Sequence, residues 1–316
     1  MTSETETIVL ALGGNAILQP GQKGTAAEQR QNIAETAEAI VELIKMGHRV
    51  IVTHGNGPQV GNILLQNEAG ADQVPAMPLD VCGAESQGQL GYMVGQALRN
   101  ELRANGLPTS VAAVVTQTVV AAGDPAFASP TKPVGPFYPV DRGTTLGAER
   151  GWVMKEVRPG QVRRLVPSPD PVRIVERDEI RTLIAGGTIV IASGGGGIPV
   201  VEHPDGTLRG VEAVIDKDLA GQRLAADVGA SVFIILTDID RVTLAYGTPE
   251  QVPLERMTLS EARDYLEQGH FPPGSMGPKV LAVIRFLEAG GKRAVIAAMK
   301  DAARALAGNA GTTVTT

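Results

Sequence analysis

TIVLALGGNA, at residues 7–16, is the stretch that decides the fold. Thr7–Leu12 is a short apolar run with β-branched residues, which is typical of a strand buried in a parallel sheet. Gly13 and Gly14 end the run, and residues 26–46 then carry apolar side chains at helical spacing. The chain therefore starts with a strand, a glycine turn and a helix, which is the repeating unit of an α/β protein.

The same unit recurs along most of the chain. Further strands are predicted at 49–53, 110–115, 188–192, 231–236 and 293–297, and further helices from about Pro58 and at 83–104, 178–185, 217–227 and 277–289. This alternation predicts right-handed crossovers between parallel strands. We therefore expect an α/β fold with an open, mainly parallel central sheet and helices on both faces, a three-layer αβα sandwich. A last run, 312–316, is predicted to be an edge strand.

The segment from about 124 to 171 interrupts the alternation. It contains nine of the chain's 21 prolines and shows little helical periodicity. Long loops without secondary structure are uncommon in compact domains. The segment is therefore predicted to form a small protruding hairpin subdomain, with a long ordered loop as the alternative.

The composition argues against several functional classes. The formal net charge is −6, so the chain lacks the basic footprint of a nucleic-acid-binding protein. No apolar run reaches the roughly 18 residues that a membrane span needs, and residues 1–7 lack the positive region of a signal peptide. The single cysteine, Cys82, rules out an intramolecular disulfide. We expect a cytoplasmic protein that binds neither nucleic acid nor a membrane.

Three glycine-rich segments follow predicted strands: LGGNA (12–16), HGNGPQVG (54–61) and SGGGGIP (193–199). In an open α/β sheet, ligands bind at the carboxyl ends of the strands. Glycine lets backbone N–H groups approach anionic oxygens there, and the start of the next helix adds partial positive charge. The segments indicate phosphate binding, although tight turns or a hinge without a ligand would have the same composition.

Three lysines lie in unusual segments. Lys132 is surrounded by prolines in PTKPVGP (130–136), and Lys217 lies between Asp216 and Asp218 within an apolar stretch. Such a charge run is either a solvated surface or a buried cluster, and a buried charge must be paired. Lys279 is predicted in the first turn of a helix, where the helix dipole disfavours a cation. Together the lysines suggest a site that handles a phosphoryl group.

A further strand ends in Thr237 and Asp238, which suits contacts with a nucleotide or with Mg²⁺. The four histidines are dispersed and lack the spacing of metal ligands, so no metal site made of protein ligands alone is predicted. The chain has no G-x-x-x-x-G-K-[ST] motif and is therefore not a P-loop enzyme. Its glycines at 55, 57 and 61 miss the dinucleotide spacing by one residue, which argues against an NAD-dependent dehydrogenase.

Seven segments in order resemble the amino acid kinase superfamily and, within it, the carbamate kinase family. They are LGGNA (12–16), HGNGPQVG (54–61), AESQGQLGY (84–92), PTKPVGPFY (130–138), GGGGIP (194–199), VIDKDLA (214–220) and PGSMGPK (273–279). Acetylglutamate and glutamate kinases carry a lysine on the first strand, two residues before the glycine pair, where this chain has Ala11. The resemblance implies that a lysine of the protruding subdomain, Lys132, supplies that charge instead.

The resemblance implies the reversible reaction of ATP with carbamate to give ADP and carbamoyl phosphate, with Mg²⁺, run toward ATP in arginine fermentation by a homodimer. It implies an N-terminal lobe (1–190) that binds carbamate and the phosphoryl group and a C-terminal lobe (191–316) that binds the nucleotide. Lys132, Lys217 and Lys279 would be catalytic together with Asp218 and Asp216, one of which would orient the lysines. The remaining implied site residues are Gly13, Gly14, Asn15, His54, Gly55, Asn56 and Gly57 for the substrate and Ser193, Gly194, Gly195, Thr237, Asp238, Tyr246 and Met276 for ATP or ADP.

Two alternatives stay open at this point. One is a related kinase that phosphorylates another carboxylate, and the other is a sensor of carbamoyl phosphate or nucleotide without turnover. The sequence also leaves open the physiological direction, the pathway partners, and which of Asp216 and Asp218 organises the lysines.

Overall fold

The computed structural model describes residues 5–316. In chain order the strands are β1 (Thr7–Leu12), β2 (Arg49–His54), β3 (Val111–Ala113), β4 (Gln117–Val120), β5 (Lys132–Pro139), β6 (Val153–Arg158), β7 (Gln161–Val166), β8 (Pro171–Ile174), β9 (Ile189–Ile191), β10 (Ile198–Glu202), β11 (Leu208–Gly210), β12 (Val232–Thr237), β13 (Thr243–Leu244), β14 (Val252–Pro253), β15 (Arg256–Thr258), β16 (Arg293–Ala298) and β17 (Thr312–Thr315). The helices are α1 (Ala26–Lys45), α2 (Gly57–Gly70), α3 (Leu79–Ala104), α4 (Val140–Arg150), α5 (Arg177–Ala185), α6 (Lys217–Val228), α7 (Leu259–Glu267), α8 (Met276–Glu288) and α9 (Ala302–Leu306).

An eight-stranded sheet forms the centre of the fold, in the order β15-β17-β16-β12-β1-β2-β9-β3. Strand β1 pairs in parallel with β2 on one side and β12 on the other. Every pairing in this sheet is parallel except that of β16 with β17. The predicted α/β class and mainly parallel sheet are confirmed.

The two faces of the sheet carry separate hydrophobic cores, and β1 contributes to both. Ile8, Leu10 and Leu12 belong to one core with residues of α1, α3 and α9. Val9 and Ala11 belong to the other, with residues of α5, α6, α7 and α8. Because successive side chains of a strand point to opposite faces, one apolar run supplies both cores. This arrangement is the expected three-layer αβα sandwich.

The predicted edge position of the last strand is wrong. Strand β17 pairs antiparallel with β16 and, on its other side, parallel with β15, which occupies the edge. Strand β15 has only three residues, too few for a clear strand pattern in the sequence.

The proline-rich segment forms a three-stranded antiparallel sheet, β5-β7-β6, with helix α4 packed on it. The predicted hairpin is thus part of a slightly larger unit, which we call the subdomain (residues 124–171). Helix α4 escaped prediction because Gly143 and Gly147 dilute its apolar pattern. Both glycines lie against the sheet, where a Cβ at Gly143 would overlap Val162.

A four-stranded sheet, β11-β10-β4-β8, was not predicted, and two of its strands, β10 and β11, follow the glycine-rich segment at 193–197. The eight-stranded sheet takes strands from both sides of residue 190, and the division into lobes 1–190 and 191–316 stays a proposal. In residues 5–316 no helix has the length and apolarity to cross a bilayer. The signal-peptide prediction falls partly on residues 1–4, outside the described residues.

Candidate active site

The carboxyl ends of four parallel strands meet at one edge of the central sheet. Strand β1 ends immediately before Gly13, β2 immediately before Gly55, β9 three residues before Gly194, and β12 immediately before Asp238. Since neighbouring parallel strands end on the same side, the predicted glycine turns lie together there. This edge is the candidate active site.

Asp218 holds two of the three predicted lysines. Its Oδ1 accepts a hydrogen bond from Lys217 Nζ at 2.6 Å and its Oδ2 accepts one from Lys279 Nζ at 3.1 Å. The Asp218 side chain is 4% exposed, whereas the lysines are 21% and 15% exposed. A buried carboxylate thus orients two ammonium groups that remain partly accessible to a ligand.

Asp216 holds the third lysine and also caps helix α6. Its Oδ2 accepts a hydrogen bond from Lys132 Nζ at 3.0 Å, and its Oδ1 accepts one from the Asp218 backbone N–H at 2.9 Å. Burial alone would raise the pKa of Asp216, but the Lys132 ammonium and these hydrogen bonds outweigh it, so the pKa lies below its ordinary value. Both aspartates therefore organise lysines, and three ammonium groups face two carboxylates.

The five charged residues surround a cavity of about 230 Å³, which we call the lysine cavity. Its other walls include Gly55, Asn56 and Gly57 from the turn after β2, Gly195, and residues at the start of α8. Gly195 has φ +68°, and a Cβ there would overlap the Asn56 side chain, whose Nδ2 donates to Ser86 Oγ at 2.7 Å. Only glycine fits this close approach.

Two larger cavities continue from the lysine cavity. One, of about 650 Å³, shares Lys217 and Lys279 with it and is lined by Gly13, Gly14, Asn15, Thr237 and Asp238. Another, of about 960 Å³, shares Asp238 with the first and contains Tyr246 and Met276. Asn15 Nδ2 donates to Asp238 Oδ2 at 3.4 Å across the first of them. We call the pair the long cleft.

Three predicted site residues lie behind the cavity walls rather than in them. Ser193 is fully buried, and its backbone N–H donates to Thr116 Oγ1 at 3.0 Å. The Gly194 carbonyl accepts from Gln87 Nε2 at 3.1 Å, and the His54 ring packs closely against this glycine. Burial lowers the pKa of His54, against the opposing effect of its hydrogen bond with the Gly55 carbonyl, so the ring is neutral. These residues fix the glycine turn.

Gly195, which the resemblance implied for the nucleotide, lines the lysine cavity beside Asn56. Tyr246 and Met276 line the long cleft, in a cavity whose walls do not include residues 193–195. The four-glycine segment is therefore placed at the lysine end of the site. The resemblance implied a nucleotide contact for Ser193, Gly194 and Gly195, and that assignment stays a prediction.

Two polar residues of α3, Ser86 and Gln87, support the site and were not predicted from the sequence to do so. Ser86 holds the Asn56 amide, and Gln87 bonds both Thr116 and Gly194. Both are buried. A signal was present, since adjacent polar residues on the core side of an amphipathic helix need partners. The AESQGQLGY segment contains them.

Within residues 5–316, no group of three or more His, Cys, Asp or Glu side chains is arranged to hold a metal ion. The two carboxylates of the lysine cavity, Asp216 and Asp218, are instead engaged with lysines, whereas Asp238 is exposed at the junction of the two parts of the long cleft. A metal ion at this site would need ligands from a bound molecule.

Comparisons with known proteins point to one family. The model of the amino acid kinase family matches residues 6–298. A carbamate kinase of Pyrococcus horikoshii is 54% identical over 312 residues, covering 98% of this chain and 99% of that protein. One of Thermococcus kodakarensis is 54% identical over 310 residues, 97% of this chain and 98% of that protein. The solved carbamate kinase of Giardia lamblia bound to AMP-PNP has a TM-score of 0.94 and 44% identity, covering 100% of this chain and 99% of that chain.

Proposed function

The chain belongs to the amino acid kinase family, and on this premise we propose that it catalyses reversible phosphoryl transfer between ATP and carbamate. In the ATP-forming direction, ADP and carbamoyl phosphate give ATP and carbamate, which decomposes to ammonia and CO₂. The observation that carries the proposal is the pairing of Asp216 and Asp218 with three lysines around one small cavity.

The position of the lysines between two cavities supports transfer at that point. Lys217 and Lys279 line both the lysine cavity and the long cleft. ADP would lie in the long cleft with its terminal phosphate at these lysines, and carbamoyl phosphate would lie in the lysine cavity. The AMP-PNP complex of the Giardia lamblia carbamate kinase supports nucleotide binding by this fold.

The transfer itself requires positioned charge and no protein nucleophile. A β-phosphate oxygen of ADP attacks phosphorus in line, the bond from phosphorus to the carbamoyl oxygen breaks, and carbamate leaves with the electron pair. Lys132, Lys217 and Lys279 would neutralise the charge that spreads over the phosphoryl oxygens. Because Ala11 has no charge to offer on β1, Lys132 brings the third cation from the subdomain.

No general base is needed, because carbamate is already an anion when it attacks in the reverse direction. The structure supports this reading, since the only histidine on the glycine turns, His54, is buried and neutral. Its Nδ1 is engaged with the Gly55 carbonyl at 2.9 Å.

A Mg²⁺ ion would fit the site only together with the nucleotide. Mg²⁺ usually keeps several waters and leans on one or two carboxylates and on substrate phosphates. The exposed carboxylate of Asp238, at the junction within the long cleft, is the residue that would hold it. Bound there, the ion would offset part of the negative charge of the phosphates.

The resemblance to carbamate kinases also supports a role in arginine fermentation and a homodimeric assembly. Both proposals rest on the relatives. Sedimentation analysis of the purified protein gives its mass in solution and so tests the proposed dimer. The mass of a single chain would contradict the proposal.

A coupled assay of ATP formation tests the proposed reaction. ADP and Mg²⁺ are supplied with carbamoyl phosphate or acetyl phosphate, and the reverse reaction is run with carbamate, acetate, glutamate and acetylglutamate. We expect activity with carbamoyl phosphate and carbamate. Activity with an amino acid alone would indicate another carboxylate kinase, and nucleotide binding without any turnover would indicate a sensor.

A further inference from the structure

A separate cavity of about 490 Å³ adjoins the lysine cavity, and we call it the subdomain cavity. It lies between the first turns of α2 and strand β5 of the subdomain. It shares Asn56, Gly57 and Lys132 with the lysine cavity. It shares no lining residue with either part of the long cleft. The lysines can therefore be reached from two directions.

The subdomain cavity has only two charged lining side chains, and both are cations: Lys132 and Arg163. Lys132 is paired with Asp216. Arg163 instead donates from Nε and Nη2 to the Gly135 carbonyl, at 3.1 and 2.8 Å. Within the described part of the chain, no carboxylate is paired with it. Arg163 is thus a half-buried cation whose charge is not balanced by the protein.

A second arginine increases the local positive charge. The guanidinium carbons of Arg158 and Arg163 lie 4.5 and 5.0 Å from the centre of the Phe137 ring. Burial, and then the nearby charge of Arg158, lower the pKa of Arg163. The side chain nevertheless stays protonated, because the ordinary pKa of arginine is very high. Each guanidinium is attracted to the ring, but the two like charges repel each other, and an approaching anion would relieve that repulsion. The arrangement therefore resembles a site that attracts an anion more than it resembles a structural ion pair.

We propose that Arg163 captures the small anionic substrate, carbamate or carbamoyl phosphate, and delivers it through the subdomain cavity to Lys132. The nucleotide would use the long cleft, so the two substrates would enter from different sides. This inference rests on the proposed function, because it takes the anion to be the substrate of that reaction. Arg163 would raise the rate of capture without taking part in the transfer.

Steady-state kinetics of ATP formation test the inference with three variants. For Arg163→Gln we expect the KM for carbamoyl phosphate to rise about threefold to tenfold, since a steering charge acts mainly on association. The kcat and the KM for ADP should stay near those of the wild type, and kcat/KM for carbamoyl phosphate should depend less on salt. Arg256→Gln removes an exposed arginine from the distant edge strand β15, where it lines none of these cavities, and should change none of these values.

Arg163→Lys separates charge from structure, because it keeps the cation and loses the double hydrogen bond to Gly135. Recovery of the KM in this variant supports capture by charge. A KM as high as that of Arg163→Gln, or an equal rise in the KM for ADP, would overturn the inference in favour of a structural role. If the wild type forms ATP and Arg163→Gln has the same KM for carbamoyl phosphate, the inference fails but the proposed function stands. If the wild type forms no ATP, both the proposed function and the inference fail.

Discussion

Replacing Asp218 with asparagine removes the charge that holds two lysines in place while keeping the size of the side chain. Asp218 accepts from Lys217 Nζ at 2.6 Å and from Lys279 Nζ at 3.1 Å, and its side chain is 4% exposed. In Asp218→Asn the two ammonium groups would face each other across a neutral amide. Repulsion would then displace at least one of the two lysines.

The expected magnitude follows from these distances. Each attraction is about 5–6 kcal/mol at an effective dielectric constant of about 20, before the cost of desolvation is subtracted. Removing one partner of a buried pair typically costs about 3–5 kcal/mol. Because both lysines are partly exposed, we expect unfolding free energy to fall by about 2–3 kcal/mol. Loss of oriented charge at the transfer point should lower kcat by about 10²-fold to 10³-fold.

Two measurements check this prediction: kcat for ATP formation from ADP and carbamoyl phosphate at saturating concentrations, and urea unfolding. Asp205→Asn is the control, since Asp205 lies on an exposed turn and bonds only its neighbour Thr207. The control should match the wild type in both assays. A kcat for Asp218→Asn close to that of the wild type would refute the claim that this carboxylate organises the lysines.

Three further predictions concern single residues. The pKa of Asp216 is lowered in the folded protein, so its ion pair stabilises the fold above the ordinary carboxyl pKa of about 4 and loses this effect as pH falls from there through the lowered pKa. The Asp216→Asn variant keeps a helix-capping side chain, and its difference from the wild type in unfolding free energy should shrink over the same pH range. A difference that does not depend on pH would contradict this. Gly195 has a positive φ, and the methyl group of Gly195→Ala would overlap the Asn56 amide. This variant should lower kcat at least about tenfold, because the substrate would no longer be positioned correctly. An unchanged kcat would show that the turn can shift to accommodate the methyl group. Burial, and then nearby carboxylates, raise the pKa of the Cys82 thiol to about 11. Iodoacetamide at pH 7 should therefore alkylate Cys82 only after the protein is unfolded in urea, as measured by mass spectrometry. Rapid labelling of the native protein would contradict the burial of this thiol.

The sequence predicted the sheet well, because the pattern that defines it is local. The run Thr7–Leu12 carries the apolar residues of both cores within six positions, and the same strand-turn-helix unit recurs. The fold class and the resemblance to amino acid kinases are confirmed. The three-residue strand β15 and the glycine-diluted helix α4 were missed, since neither leaves a periodic signal of useful length.

The sequence indicated residues that the fold brings together at the candidate site, but it did not indicate how they pair. Lys132 and Asp216 lie 84 positions apart, and their contact depends on how the subdomain sits over α6. No spacing rule could choose between Asp216 and Asp218, and the geometry gives each of them lysines to hold. The placement of Gly195 beside Asn56 likewise follows from two turns that meet only in the folded sheet.

The central claim is that a lysine from the subdomain supplies the charge that β1 lacks at Ala11. The rate of ATP formation from ADP and carbamoyl phosphate by Lys132→Ala tests it most directly, with Lys155→Ala, on the same sheet and exposed, as the matched control. We predict a fall in kcat of about 10²-fold or more for Lys132→Ala, with the control at the wild-type rate. A Lys132→Ala enzyme that forms ATP as fast as the wild type would contradict the claim.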